Sequence, residues 1–424
     1  MNPILPLNIF IPDPEAHACS DGRLYFYGST DICGNNSYCS REYKVFSTDD
    51  MVTWTDHGNS FSTRDKAVGE DFYNQVLFAP DCIEKDGKHY LYFCTSAGSE
   101  GVAVSDTPCG YFKNAVPVKG AHLDGIDPAV FVDDDGQAYY YWGQDIAKGA
   151  KLKDSMTEID EATLTHVATR EKHGFHEGSS MRKRNGLYYF VYADISSGKP
   201  TCLSYATSRS PLGPFVKGGV IIDNAGCDPE SWNNHGSIAE YKGNWYVFYH
   251  RSTQNGNYNR RVCVEPITFN EDGSINQVEM TTQGAGKSLD PGTDMDAGRA
   301  CLLGGSAYID QNDNGEEYIR AMHCGDFAVY KYYDFRKEYT HFEAVASSLT
   351  YGGIIEIRED HKDGKLLGVC EIKPTGGWSK WESFSCPVQS AKGIHAICLV
   401  FKKQYMRLFN LKKFRFMAEG RKLK

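Results

Sequence analysis

Three carboxylates in this chain stand at one fixed distance from a repeated turn. Asp13, Asp127 and Glu177 each lie nine residues before a glycine (Gly22, Gly136, Gly186) that is followed three residues later by a tyrosine. Two further copies of the Gly-x-x-Tyr unit begin at Gly87 and Gly243, with Phe78 nine residues before the one and His235 eight before the other. A fixed offset in a repeated unit means a fixed place in space, so three acids, an aromatic ring and an imidazole are expected to converge. Such a trio can work on a glycosidic bond: one protonated carboxyl supplies the departing oxygen with a proton and one carboxylate activates water. The third raises the pKa of the proton donor by like-charge repulsion. An acid cluster can also hold a divalent metal, although no histidine-rich ligand set accompanies these three. Taken singly, Asp13-Pro14, Asp127-Pro128 and Asp228-Pro229 read as turn initiators. The shared offset is what gives the first two a further meaning.

The elements that must position these residues follow from the same repeat. Each unit has a short apolar run, then a turn (Asp21-Gly22, Asp86-Gly87, Asp135-Gly136, Asn185-Gly186, Lys242-Gly243), then an aromatic run. Asp-Gly and Asn-Gly between apolar runs signal hairpins, because the turn residues must tolerate positive φ. Leu24–Tyr27, Tyr90–Phe93, Tyr139–Trp142, Tyr188–Tyr192 and Trp245–Tyr249 are rich in aromatic and β-branched residues, which suit strands. A period of roughly 50 to 65 residues without helical periodicity describes radial repetition, so five copies predict a five-bladed β-propeller. Its innermost strands would aim the five singled-out residues at the axis. The stretches 64–75 and 148–172 read as loops between blades.

Ile11-Pro12-Asp13-Pro14, Gly125-Ile126-Asp127-Pro128 and His176-Glu177-Gly178 resemble the three acidic motifs of glycoside hydrolase family 43. The resemblance extends through residues 47–54, Leu77-Phe78-Ala79-Pro80-Asp81, residues 208–215 and Glu265-Pro266-Ile267-Thr268-Phe269, and covers about residues 3 to 290. It implies a five-bladed propeller with Asp13 as general base, Glu177 as general acid, and Asp127 raising the pKa of Glu177 and holding it in place. It implies inversion at the anomeric carbon, with Asp13 and Glu177 roughly 6.5–9.5 Å apart. Phe78 would stack on the sugar, where the family often has Trp. His235 falls where the family places an axial histidine associated with calcium, a structural ion not required for the chemistry. Either Arg260 or Arg261 would bring a cation near the acids, and the sequence does not say which. The activity implied is exo-acting release of α-L-arabinofuranose or β-D-xylose from hemicellulose-derived oligosaccharides. The alternatives are an exo-glycosidase of other specificity, such as for galactan, or a sugar-binding protein without catalysis.

After Gly292 the hairpin repeat stops. Strand-like runs at 328–333, 342–345, 353–357, 366–372, 381–388 and 393–401 predict a second, β-sandwich domain over residues 293–424, following the propeller at 1–292. Tyr318-Ile319, Phe327–Tyr330, Gly376–Trp381 and Leu408–Leu411 resemble a family 6 carbohydrate-binding module, with Trp378 as its sugar-stacking residue. The family ends on Asn-Leu-Asp-Trp where this chain has Asn410-Leu411-Lys412-Lys413. The acidic pair at the module's start is reduced to Asp296 and Gly298. Both departures remove calcium ligands and leave sugar binding by this domain an open expectation beside a purely buttressing role.

A net charge of −10 over 424 residues argues against nucleic acid or anionic membrane as partner, and leaves an oligosaccharide. No run of 18 apolar residues exists to span a bilayer. Fourteen scattered cysteines, with no Cys-x-x-Cys pair and no signal-peptide pattern, predict reduced thiols and a cytoplasmic enzyme. Oligomeric state leaves no mark in the sequence, and His122, His173 and His176 show no ligand spacing.

Overall fold

A computed structural model describes residues 1–121, 125–226, 234–321, 323–403 and 407–418. His122 and Asp228-Pro229 lie outside the described residues. The chain is almost wholly β. Four antiparallel four-stranded sheets follow one another over residues 15–62, 81–117, 129–169 and 175–223, and a three-stranded sheet covers 236–267. The N-terminal segment runs beside the third strand of that last sheet. Ile4 N–H donates to Val262 O at 3.1 Å, and the Asn2 side chain bonds Val264 through both its Nδ2 and its Oδ1.

The sheets form a closed ring, and the core shows it. Five apolar clusters each sit between two consecutive sheets, and the fifth, with Phe26 from the first sheet and Phe248 from the last, joins the two ends. This also explains the aromatic runs. Side chains alternate along a strand, so Tyr139 and Tyr141 face the fourth sheet whereas Tyr140 and Trp142 face the second. Every position on such a strand is buried, so every position is apolar.

The hairpins are built in two ways. In blades two, four and five the turn is two residues long, and Asp86, Asn185 and Lys242 take positive φ together with the glycine that follows. Blades one and three pair Ala18 with Leu24 and Val132 with Ala138 across longer loops, where only the glycine is left-handed. One expectation fails here. Residues 148–172 are not a loop between blades but the outer strands Ile146–Leu152 and Ile159–Thr169 and a helical turn at Arg170–His173. Alternating charged residues on an outermost strand look like a polar loop when read without their neighbours.

After residue 267 the chain turns back along the ring, with Ile275 and Met280 in the apolar cluster between the fourth and fifth sheets, and the next strand is Met295–Asp296. The second domain packs a sheet built on Phe409–Met417 and His341–Ser347 against one built on Phe327–Phe335, Gly393–Lys402 and Gly353–Glu359. Between them lies a single apolar core that includes Tyr330, Phe342, Ile355, Leu399 and Phe414. The six strand-like runs read from the sequence all appear, and the pairing at Leu302–Gly304, Tyr308–Gln311, Glu317–Ala321 and Phe409–Met417 completes the sandwich. Among the described residues no helix is long and apolar enough to cross a membrane, and the thirteen described cysteines are all free.

The two domains share buried polar contacts. Arg251 Nη1 donates to Ala300 O at 2.7 Å, and Gln254 Nε2 donates to Gln311 Oε1 at 3.2 Å and Glu317 Oε1 at 3.0 Å. The buried Arg261 bonds Glu317 and Leu7 O, with its guanidinium 4.4 Å from the Phe10 ring centre.

Candidate active site

Asp13, Phe78, Asp127, Glu177 and His235 line one cavity of about 230 Å³ at the axis of the ring, together with Tyr38, Gln144, His176 and Arg260. Four of the five sit at or just before the head of an innermost strand: Glu15–Ala18, Asp81–Lys85, Ala129–Val132 and Gly236–Tyr241. Asp13 and Asp127, equivalent in blades one and three, share a left-handed backbone, with φ of 56° and 54°. This conformation is uncommon for any residue but glycine and turns the side chain out of the strand direction. Such strain at two matched positions is a mark of a functional site.

Asp13 is buried and surrounded by donors. Its Oδ1 accepts Arg260 Nη1 at 2.9 Å and lies 3.3 Å from His250 Nδ1 and 3.6 Å from His235 Nδ1. Its backbone N–H donates to His250 Nδ1 at 3.1 Å. Burial opposes ionisation, but Arg260 first, then the two histidines, outweigh it and hold the Asp13 carboxyl well below the usual carboxylate range. Asp13 is therefore favoured as the anion. Arg260 is itself held by Asp31, a buried acid on the loop after strand Leu24–Gly28. The aromatic face of Tyr38 lies 4.8 Å from the guanidinium carbon.

Asp127 is in the opposite state. Its Oδ2 accepts only the Gly178 N–H, at 3.1 Å, among protein hydrogen-bond donors in the described residues. Burial, then the neighbouring Glu177 and Asp13 carboxyls, push it well above the carboxylate range, against the weaker pull of Arg260. The two equivalent acids of one pocket are thus pushed in opposite directions.

Glu177 sits inside the strand Phe175–Arg184, at a place where the register with Leu187–Asp194 shifts on both sides of it. A bulge of this kind re-aims one side chain. Gly178 completes it, with φ of 77°, and a Cβ there would stand only 3.0 Å from the His235 ring. Glu177 Oε2 accepts Gln144 Nε2 at 2.8 Å and lies 3.8 Å from His176 Nε2. His176 in turn holds Asp145 at 3.3 Å.

The remaining singled-out residues divide. Phe78 is half-buried in the pocket wall, fixed by its backbone: its N–H donates to Cys94 O at 3.0 Å and its C=O accepts the Tyr43 hydroxyl. Neighbouring strand residues point to opposite faces, so Arg260 enters the pocket and Arg261 points away to Glu317. Arg261 is not a pocket residue. Neither is Trp378, which lies in the sandwich with Arg407 stacked 3.8 Å from its ring centre and its C=O accepting Ser347 Oγ at 2.7 Å. His235 contributes one buried imidazole, with its pKa lowered by burial. The nearest carboxylate oxygens to its Nδ1, 3.6 and 3.7 Å away, belong to Asp13 and Asp127. Calcium takes six to eight oxygen ligands, so these residues do not by themselves make a calcium cage.

Deeper along the same inner strands, the channel is filled by Glu15, His17, Asp81 and Arg182. Arg182 Nη2 donates to Glu15 Oε1 at 2.9 Å, and His17 Nε2 lies 2.7 Å from Asp81 Oδ1. Burial raises Glu15 and Asp81 to about 7 each, against the pull of Arg182. Sequence reasoning missed Asp31, Tyr38 and Gln144. They stand on loops with no counterpart at the same offset in the other blades, so the repeat that exposed the acids could not expose them.

The profile of glycosyl hydrolases family 43 matches residues 1–275, and that of carbohydrate binding module family 6 matches residues 296–418. A xylosidase/arabinosidase of Thermoclostridium stercorarium is 31% identical over 95% of this chain and 96% of its own length. An arabinoxylan arabinofuranohydrolase of Bacillus subtilis is 29% identical over 90% of this chain and 85% of its own. The crystal structure of a Bacillus subtilis arabinoxylan arabinofuranohydrolase in complex with cellotetraose superposes with a TM-score of 0.58, at 28% identity, over 99% of this chain and 97% of that one.

Proposed function

The chain belongs to glycosyl hydrolase family 43, and on that premise we propose that it is an inverting, exo-acting glycosidase. It would release a terminal pentose, α-L-arabinofuranose or β-D-xylose, from oligosaccharides derived from xylan or arabinoxylan. The observation that carries this reading is the placing of Asp13, Asp127 and Glu177 in one cavity, in unlike electrostatic settings. At about 230 Å³ the cavity is smaller than the sites that take drug-sized ligands, and has room for a single sugar ring.

In the proposed reaction Asp13, ionised beside Arg260, takes a proton from a water molecule as that water attacks the anomeric carbon. Glu177, oriented by Gln144, gives its proton to the departing glycosidic oxygen. Asp127 stays neutral and holds the backbone at Gly178, and so fixes Glu177. Phe78 offers a flat apolar face to the sugar. A calcium ion at His235 would complete its coordination with water, and the reaction runs without it. Arabinofuranose is favoured because the Bacillus subtilis relative that spans both domains acts on arabinoxylan as an arabinofuranohydrolase. The free thiols support a reducing compartment.

The test is a panel of 4-nitrophenyl α-L-arabinofuranoside, β-D-xyloside and β-D-galactoside beside arabinoxylo- and xylo-oligosaccharides. Proton NMR of the first-formed sugar reports the anomer. Release of one pentose with inverted configuration is expected. Retention of configuration, or activity on none of the pentosides, would overturn the reading.

A further inference from the structure

We propose that Asp31 is a positioning residue that keeps the base able to accept a proton; this rests on Asp13 being that base. The side chain of Asp31 is fully buried. Its Oδ2 accepts Arg260 Nε at 2.9 Å and the Arg260 backbone N–H at 3.1 Å. Its Oδ1 accepts Arg260 Nη2 at 2.9 Å and the Cys39 backbone N–H at 3.0 Å.

The two side-chain contacts occupy one whole edge of the guanidinium, the side-on fork that otherwise grips a carboxylate bidentately. Nη2 also donates to Cys39 Sγ at 3.2 Å, so the end-on pair of nitrogens is divided as well, and Nη1 donates to Asp13 at a single oxygen. Among the described residues the Arg260 hydrogen bond to the Asp13 carboxylate, and the nearest approaches of the His235 and His250 nitrogens, all fall on Oδ1. Oδ2 is thereby left for water.

A buried arginine with one counterion pairs with both of its oxygens where it can. By claiming the fork, Asp31 keeps Arg260 from closing over Asp13 while leaving it near enough to keep the base ionised. Cys39 ties the same loop to the site, since its N–H binds Asp31 and its Sγ lies 3.2 Å from Arg260 Nη2. Tyr38 covers the guanidinium from the adjacent position and packs edge-on against Tyr258, with ring centres 4.7 Å apart.

The experiment is a double-mutant cycle on the pentoside that the wild type cleaves, with Asp31→Asn, Arg260→Lys and the double variant, and Asp13→Asn as reference. Lysine cannot form a fork, so once it is in place Asp31 keeps only the backbone N–H groups of Cys39 and of position 260 and no longer sets how the cation meets Asp13. Asp31→Asn is expected to lower kcat on the order of 10–100-fold with KM within about threefold, the scale of a misplaced catalytic group. In the Arg260→Lys background the same change should cost less than about threefold, a non-additivity expected of residues acting as one. If Asp31→Asn does not fold, Asp31→Glu keeps the charge but moves the fork, and the same fall in kcat at steady KM is expected. Additive losses in the cycle, or a rise in KM at unchanged kcat, overturn the role of Asp31 alone. Full activity in Asp13→Asn overturns the base assignment and this proposal with it.

Discussion

Asp127 Oδ2 accepts the backbone N–H of Gly178 at 3.1 Å, so the buried acid of blade three is bonded to the residue that follows Glu177 in blade four. One hydrogen bond thus spans two blades and fixes the bulge from which Glu177 projects. Asparagine keeps the shape and an acceptor oxygen but not the ionisable carboxyl. Asp127→Ala, which removes that acceptor and frees the bulge, is expected to lower kcat by about 10²-fold, the scale of a misplaced catalytic group, whereas the asparagine variant should keep it within about threefold. Because burial and its neighbours hold Asp127 protonated, the asparagine variant should be at least as stable as the wild type at pH 7. Steady-state kinetics and urea unfolding on the same preparation check both halves.

Glu177 should matter in proportion to how much the leaving group needs a proton. Glu177→Ala is expected to reduce turnover of an arabinoxylo- or xylo-oligosaccharide by about 10²–10⁴-fold, the usual yield of general acid catalysis. A 4-nitrophenyl pentoside, whose phenolate departs readily, should lose much less. Equal losses on both substrates would place the proton donor elsewhere.

The axial cluster predicts a stability that falls as pH rises. Glu15 is pushed from 4.5 to about 7, by burial and against Arg182. The folded chain therefore binds this proton more tightly than the unfolded one. Its contribution is greatest below pH 4.5 and is lost as pH rises from there through 7. The loss is on the order of 3 kcal/mol for a shift of this size. Glu15→Gln should lessen the wild-type slope across that window, Asp81 supplying the remainder, and leave the low-pH end unchanged, as read by urea unfolding at intervals from pH 4 to pH 8.

Phe78 and Trp378 are both aromatic and of the same nominal use, yet they stand in different places. Phe78→Ala is expected to raise KM for the cleaved pentoside about tenfold, from the loss of roughly 1.4 kcal/mol of ring contact. Trp378→Ala should leave kcat and KM for the same small substrate unchanged, because the residue lies outside the pocket. A change in KM with Trp378→Ala would bring the sandwich into substrate binding at the catalytic pocket.

The sequence made the ring and its acids legible because propeller strands repeat, and repetition turns a spacing into a position. Asp13, Asp127 and Glu177 were visible for that reason, although the constant offset hides unlike construction. Blades one and three reach it with short strands and long hairpins, blade four with a bulged strand and a tight turn. Residues that are unique to one blade carry no such signal. Asp31 and Gln144 act through contacts with Arg260 and Glu177, which are 229 and 33 positions away in the chain. Arg260 and Arg261 could not be told apart by composition. The alternation of a strand separates them, but its phase is fixed only by what packs on either side.

The pairing of Arg261 with Glu317 bears on how this protein could be taken apart. A chain cut after the fifth blade would leave the Arg261 guanidinium without its acid and open to solvent. The sandwich thus takes part in the charge balance of the blade it sits on. It supplies a counterion to the strand that carries Arg260, and an exchange of modules at this junction would have to bring its own replacement for Glu317.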